Sequence, residues 1–184
     1  MDTALTLTQR KTVADYSRLP EGTPIQLIGG EFIMSPSPVR KHQKISMRLG
    51  AQLYNVVSSR KLGEVYSAPF DVHVSRNDVY QPDILFIASE HLHYIEEDSV
   101  HGPPDIVVEV LSRSTAVFDL LLKKDGYETF GVKEYWIIDP MEHSIERFNN
   151  ASKGFESFFH GKEGVVCSIV LPEFCVRVEE LFAN

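Results

Sequence analysis

The sequence predicts an α/β protein with a mixed central β-sheet flanked by helices and an additional antiparallel β region. Three stretches carry that prediction. Residues 106–111 and 134–139 are short apolar runs separated by a segment of helical character, and a strand–helix–strand unit of this kind makes a parallel pair inside a sheet. Between Pro38 and Ser58, Ile45, Leu49, Leu53 and Val56 recur at helical spacing, which gives an amphipathic helix able to cover a sheet face. Residues 144–148 and 154–159 read as an antiparallel pair that follows the parallel unit.

The remaining elements follow in order. Residues 6–18 have the pattern of a short capped helix, closed by the turn Pro20-Glu21-Gly22. Residues 25–34 alternate loosely around Gly29-Gly30, as a hairpin or bent strand pair does. Pro36 and Pro38 break the chain ahead of the amphipathic helix. Residues 65–74 are β-branched and aromatic, with Pro69 as a local break, and residues 79–87 carry Pro82 followed by a mostly apolar run. The helix expected over 115–130 takes Ser114 or Thr115 as its N-cap and ends at Gly131. Residues 165–181 are strand-like and end in a turn.

With 184 residues, 43% of them hydrophobic and 24% charged, the chain is expected to form one domain, 1–184, around an ordinary core. Cys167 and Cys175 are too far apart for a Cys-x-x-Cys motif and too few for a zinc site. No disulfide framework is expected, and a reducing cytoplasm fits best. The start, Met1-Asp2-Thr3-Ala4-Leu5, lacks a basic region followed by an apolar run, and no stretch approaches the roughly 18 apolar residues of a membrane helix, so no membrane partner is expected. The net charge of −8 opposes indiscriminate binding of nucleic acid. It leaves room for carboxylates that a cation neutralises, and for a local basic patch formed by Arg40, Lys41, Lys44 and Arg48.

Two carboxylates stand where structure alone would not put them. Glu109 lies inside Ile106-Val107-Val108-Glu109-Val110-Leu111, a run apolar enough to be buried on both faces. An isolated carboxylate there is too costly to be idle, so it is paired, protonated or bound to a cation. Asp83 follows Pro82 at the mouth of a second apolar run. The two acids are 26 residues apart (109 − 83), enough for adjacent strands joined by a loop. On adjacent strands they can converge on one hard cation such as Mg²⁺, which favours one or two carboxylates completed by water and phosphate. The alternatives are a turn-capping Asp83 and a Glu109 paired with a structural Arg or Lys.

A cationic group comes from the helix after Glu109. On a wheel of about 100° per residue, Lys123 falls between Tyr127 and Phe130, and Lys124 also lies within the apolar arc. The wheel does not choose between the two lysines. Asp119, one turn before Lys123, offers it an ordinary helix pair instead. Two carboxylates, a cation and a lysine suffice for phosphodiester hydrolysis. No Gly-x-Ser-x-Gly elbow, Walker loop, Gly-x-Gly-x-x-Gly or His-Glu-x-x-His competes.

These residues resemble the PD-(D/E)xK nuclease superfamily, and more closely the bacterial Uma family of restriction-endonuclease-like proteins. The likeness rests on Gln81-Pro82-Asp83-Ile84, on Pro104-Asp105-Ile106-Val107-Val108-Glu109-Val110-Leu111-Ser112, and on Gly131-Val132-Lys133-Glu134-Tyr135-Trp136-Ile137-Ile138-Asp139-Pro140, with Lys123, Tyr127 and His42 also matching. It implies a restriction-endonuclease-like fold, a divalent metal (Mg²⁺ or Mn²⁺) at Asp83 and Glu109, and a DNA substrate. It also implies a displaced lysine: the superfamily has Lys two residues after the Glu, where this chain has Leu111, and the family supplies it from the following helix as Lys123. Glu31 corresponds to the superfamily's auxiliary N-terminal acid; on its own pattern it is equally a solvated turn glutamate. His42, at the head of the first long helix, is expected on the helix surface. Two departures stand out: Arg113 replaces a usual proline, and Ala116-Val117-Phe118 replaces a usually charged stretch. The expected function is a metal-dependent DNA endonuclease using Asp83, Glu109, Lys123 and Glu31. A homodimer would bring two centres to two strands. The alternative is a catalytically inactive module of the same fold that binds nucleic acid or protein.

Overall fold

Apolar runs from the middle of the chain form the centre of a six-stranded sheet, and the other elements are laid against its two faces. The computed structural model describes residues 10–112 and 118–183. In chain order the elements are α1 (Val13–Tyr16), β1 (Ile25–Ile28), β2 (Glu31–Met34), α2 (Arg40–Arg60), β3 (Gly63–Ser67), β4 (Asp71–Ser75), β5 (Asp78–Tyr80) and β6 (Ile84–Ala88). A 3-10 segment (Ser89–Tyr94) leads to β7 (Ser99–Val100) and β8 (Ile106–Val110). A π-helical turn (Phe118–Lys123) runs straight into α3 (Lys124–Phe130). Then follow β9 (Glu134–Asp139), β10 (Ser144–Ala151), β11 (Gly154–Gly161), β12 (Val165–Cys167), β13 (Cys175–Arg177) and α4 (Val178–Phe182).

The large sheet has the order β11-β10-β9-β8-β6-β3. β8 and β9 are parallel, with Val108 opposite Trp136, as the strand–helix–strand reading requires, and the other pairs are antiparallel. The antiparallel pair expected over 144–159 is β10 and β11 at one edge of this large sheet, and a separate second sheet forms from residues 25–100 in the order β2-β1-β5-β4-β7, antiparallel except for the parallel β4–β7 pair. The β1–β2 turn falls on Gly29 and Gly30, at φ 61° and 81°, a left-handed turn that glycine enters without strain.

Side-chain alternation along β8 builds two cores. Ile106, Val108 and Val110 face α2 and pack with Ile45, Leu49, Leu53 and Val57. Val107 faces the other way, onto Tyr80, Tyr127 and Tyr135. Glu109 shares the parity of Val107, so the pleat sends it to the aromatic side.

The structure changes several details of the sequence reading. The apolar stripe of α2 ends at Val57, with Val56 only partly buried. Within the expected 6–18 helix, residues 13–16 form one helical turn, with the Asp15 carboxylate accepting from the Thr12 amide and hydroxyl at 2.9 Å; residues 6–9 lie outside the described residues. The N-cap expected at Ser114 or Thr115 also lies outside them, whereas Gly131 ends α3 as expected, at φ 99°. Cys167 and Cys175, expected as separate thiols, face each other across β12 and β13 and are joined as a disulfide. The hairpin between them closes a gap that their sequence spacing left open. Among the described residues no helix is long and apolar enough to cross a membrane.

Candidate active site

Asp83 is held at the end of β6 by the strand beside it. Proline at 82 has no amide to give, and regular β6–β8 pairing starts one residue later, at Ile84 opposite Val108. Carried one residue further, the register sets Asp83 at the position facing Glu109. The Asp83 Oδ2 atom takes the Val110 amide at 2.7 Å, a charge-assisted bond in place of the next ladder bond. The same oxygen meets His42 Nε2 at 3.1 Å. Among the described residues the other oxygen, Oδ1, has no hydrogen-bond partner. The Asp83 side chain keeps 18% of its surface exposed, so it stands at the rim of the sheet with a face to solvent.

Glu109 is far more enclosed. Its side chain and that of Lys123 are each 3% exposed, and Lys123 Nζ donates to Glu109 Oε1 at 3.0 Å. The Tyr127 hydroxyl donates to the same oxygen, also at 3.0 Å. Burial, and then the Glu109 charge, hold the Tyr127 hydroxyl well above its ordinary titration, so it stays a proton donor. Tyr127 is in turn fixed by an edge-on contact with Tyr80, at 5.2 Å between centroids, and by Tyr135 at 5.4 Å.

The choice between the two lysines, open on the helical wheel, is made by backbone phase. The π-helical turn places Lys123 inward while Leu120, Leu121 and Leu122 remain exposed. Lys124, one residue on, lays its ammonium 3.8 Å from the centroid of the Phe148 ring. The alternative partner for Lys123, the Asp119 side chain, lies outside what is described. The reading that Glu109 pairs with a basic residue is thus met by the same lysine proposed for chemistry.

Glu31 opens β2, exposed and in register with Ile28. Among the described residues no hydrogen bond or ion pair brings it to Asp83 or Glu109. His42 departs from its expected place on the helix surface. It lies one turn before Ile45 on the inner face of α2 and is buried against Asp83. The signal was available, because the stripe Ile45, Leu49, Leu53 extends backward by three residues to 42. Tyr127 was visible as an aromatic neighbour of Lys123, but its hydroxyl's partner was not. The basic residues of α2 are largely engaged. Lys41 reaches the Pro140 carbonyl and His143, Lys44 reaches the Ala183 carbonyl, and Arg48 takes the carbonyls of Leu181 and Ala183 at the end of α4.

The donor set suits a hard cation. Among the described residues no three His, Cys, Asp or Glu side chains gather closely enough to hold a metal by themselves. A site built from Asp83 and Glu109 leaves the rest of the shell to water and phosphate oxygens, which is how Mg²⁺ and Mn²⁺ are bound.

Comparison with known proteins identifies the family and the fold. A family model, Uma2, described as a putative restriction endonuclease, matches residues 13–179. An uncharacterized protein of Synechocystis, sll1609, is 26% identical over 141 residues, spanning 74% of this chain and 79% of its own. A crystal structure of a putative nuclease from Anabaena variabilis superposes with a TM-score of 0.78 at 20% identity, over 93% of this chain and 97% of that one. The fold is therefore the mixed α/β, restriction-endonuclease-like one that the sequence predicts.

Proposed function

The chain belongs to the Uma2 family, and we propose that it is a divalent-metal-dependent nuclease that hydrolyses phosphodiester bonds of DNA. The observation that carries this is the placement of three charged side chains at one end of neighbouring strands: Asp83 at the rim of β6, bonded to His42 and to the Val110 amide of β8, and Glu109, one residue before Val110, bonded to Lys123. Asp83 and Glu109 would hold Mg²⁺ or Mn²⁺, which when bound supplies Lewis acidity toward the scissile phosphate. Lys123 places a positive charge next to Glu109, where it can stabilise the charge growing on the phosphate oxygens. Tyr127 holds Glu109 Oε1 in place from the other side. Two copies of this site, in a homodimer, would cut both strands of a duplex.

The test is plasmid cleavage by purified protein with Mg²⁺ or Mn²⁺, beside Asp83→Ala and Lys123→Ala. The expected outcome is cutting by the wild type and a loss of about 100-fold or more in either variant. Equal cutting by all three would assign the activity to a contaminant. Mn²⁺ uptake without cutting would favour an inactive module that binds nucleic acid or protein.

A further inference from the structure

We propose that His42 is a positioning residue that holds Asp83 in its cation-binding orientation. The inference rests on the nuclease reading and adds a role to a residue outside the acid–lysine set. His42 is the third residue of α2 and lies on the face that buries Ile45, Leu49, Leu53 and Val57. That packing fixes the ring relative to the sheet.

The protonation pattern follows from the partners. The Asp83 carboxylate can only accept, so His42 Nε2 carries the hydrogen in their 3.1 Å contact. In the neutral ring Nδ1 is then an acceptor, and the Ser46 hydroxyl, one helical turn further along, stands 3.4 Å from it. Asp83 Oδ2 therefore receives two donors, the His42 ring and the Val110 amide, from opposite structural layers: helix and sheet. Two donors on one oxygen fix the rotation of a carboxylate that is otherwise at the solvent rim, and they leave Oδ1 for the cation. A histidine on an apolar helix face is thereby explained by its hydrogen bond rather than by packing.

The test is calorimetric titration of the full chain with Mn²⁺, together with thermal unfolding in the absence of metal, for wild type, His42→Ala, His42→Gln and Ser46→Ala. Outer-shell partners of ligands are worth about 10–100-fold in metal affinity, so His42→Ala is expected to weaken Mn²⁺ binding by that factor. His42→Gln, whose side-chain amide can donate to Oδ2, is expected to recover most of it, and Ser46→Ala to weaken binding only a few-fold. If His42→Ala melts earlier but binds Mn²⁺ as the wild type does, the role is structural and the proposal is overturned. Recovery no better in His42→Gln than in His42→Ala also overturns it, because the ring would then touch the cation itself. Should His42→Ala fail to fold, His42→Gln and Ser46→Ala decide the question by the same criteria. A wild type that takes up no Mn²⁺ defeats the nuclease reading, and this inference with it, whereas uptake that ignores His42 defeats this inference alone.

Discussion

Glu109 and Lys123 are a buried pair whose members are each costly alone. Removing one partner of such a pair leaves an uncompensated charge and typically costs about 3–5 kcal/mol, whereas removing both can be nearly neutral. Lys123→Met and Glu109→Gln are thus expected to lower stability strongly as single changes, and the double variant by much less than their sum. Urea unfolding of the four proteins measures this, and strict additivity would mean the two side chains do not interact. A second buried acid, Asp105, serves the opposite end of β8. Its side chain is 1% exposed and accepts from Lys133 at 2.7 Å, from the Ala88 amide at 2.8 Å and from His91 at 2.9 Å. Burial alone would raise its pKa, but His91, Lys133 and the Ala88 amide outweigh burial and hold it below the ordinary 3.8. A depressed pKa contributes stability that is present above the unfolded value and is lost as pH falls through the folded one. The stability gap between wild type and Asp105→Asn should accordingly persist above about pH 4 and narrow below it. Urea midpoints measured across that range check this, and a gap that widens in acid would contradict it.

Among the elements, α3 joins the aromatic core to the candidate site. It packs against the second sheet at Gly126, where a Cβ would stand 2.4 Å from the Tyr80 hydroxyl and 2.8 Å from its ring. Tyr80 supports Tyr127, and Tyr127 donates to Glu109. Gly126→Ala is therefore expected to displace Tyr80, loosen the hold on Glu109 and lower cleavage by about 10–100-fold, since a misplacement near 1 Å has effects of that size. Cleavage unchanged in Gly126→Ala, with the fold intact, would show that Tyr80 does not support the site. Secondary structure was most legible where period and boundary agreed. β9 occupies the predicted 134–139, and β10 and β11 form the predicted antiparallel pair. The helix before Gly131 was predicted with a single 3.6-residue period. The π-helical turn has a longer one, so the wheel could not say that Lys123 turns in while Leu120–Leu122 turn out.

For the whole molecule, the test is linkage between metal and folding. A cation that binds the folded chain alone raises stability by about 2.7 kcal/mol at 100 times its dissociation constant, or roughly 5–10 °C in melting temperature for a chain of this size. Saturating Mn²⁺ is expected to raise the melting temperature of the wild type by that amount and to leave Asp83→Ala unchanged. An equal shift in both proteins would place the cation elsewhere. The α/β class, the parallel pair within residues 106–139 and the candidates Asp83 and Glu109 are legible in the order of residues, as is a lysine at 123 or 124. They are legible because burial leaves a local trace: an acid inside an apolar run, or a lysine within an apolar arc, is visible without knowing its neighbours. Which groups come together was fixed by packing in three dimensions. The adjacency of Asp83 and Glu109 comes from strand register carried one residue past the last pair, the Tyr127 bond from the aromatic core on one face of β8, the His42 contact from a helix residue 41 positions before Asp83, and the Cys167–Cys175 bond from a hairpin. Each of these depends on how separate segments pack across space, and residue spacing along the chain does not encode that.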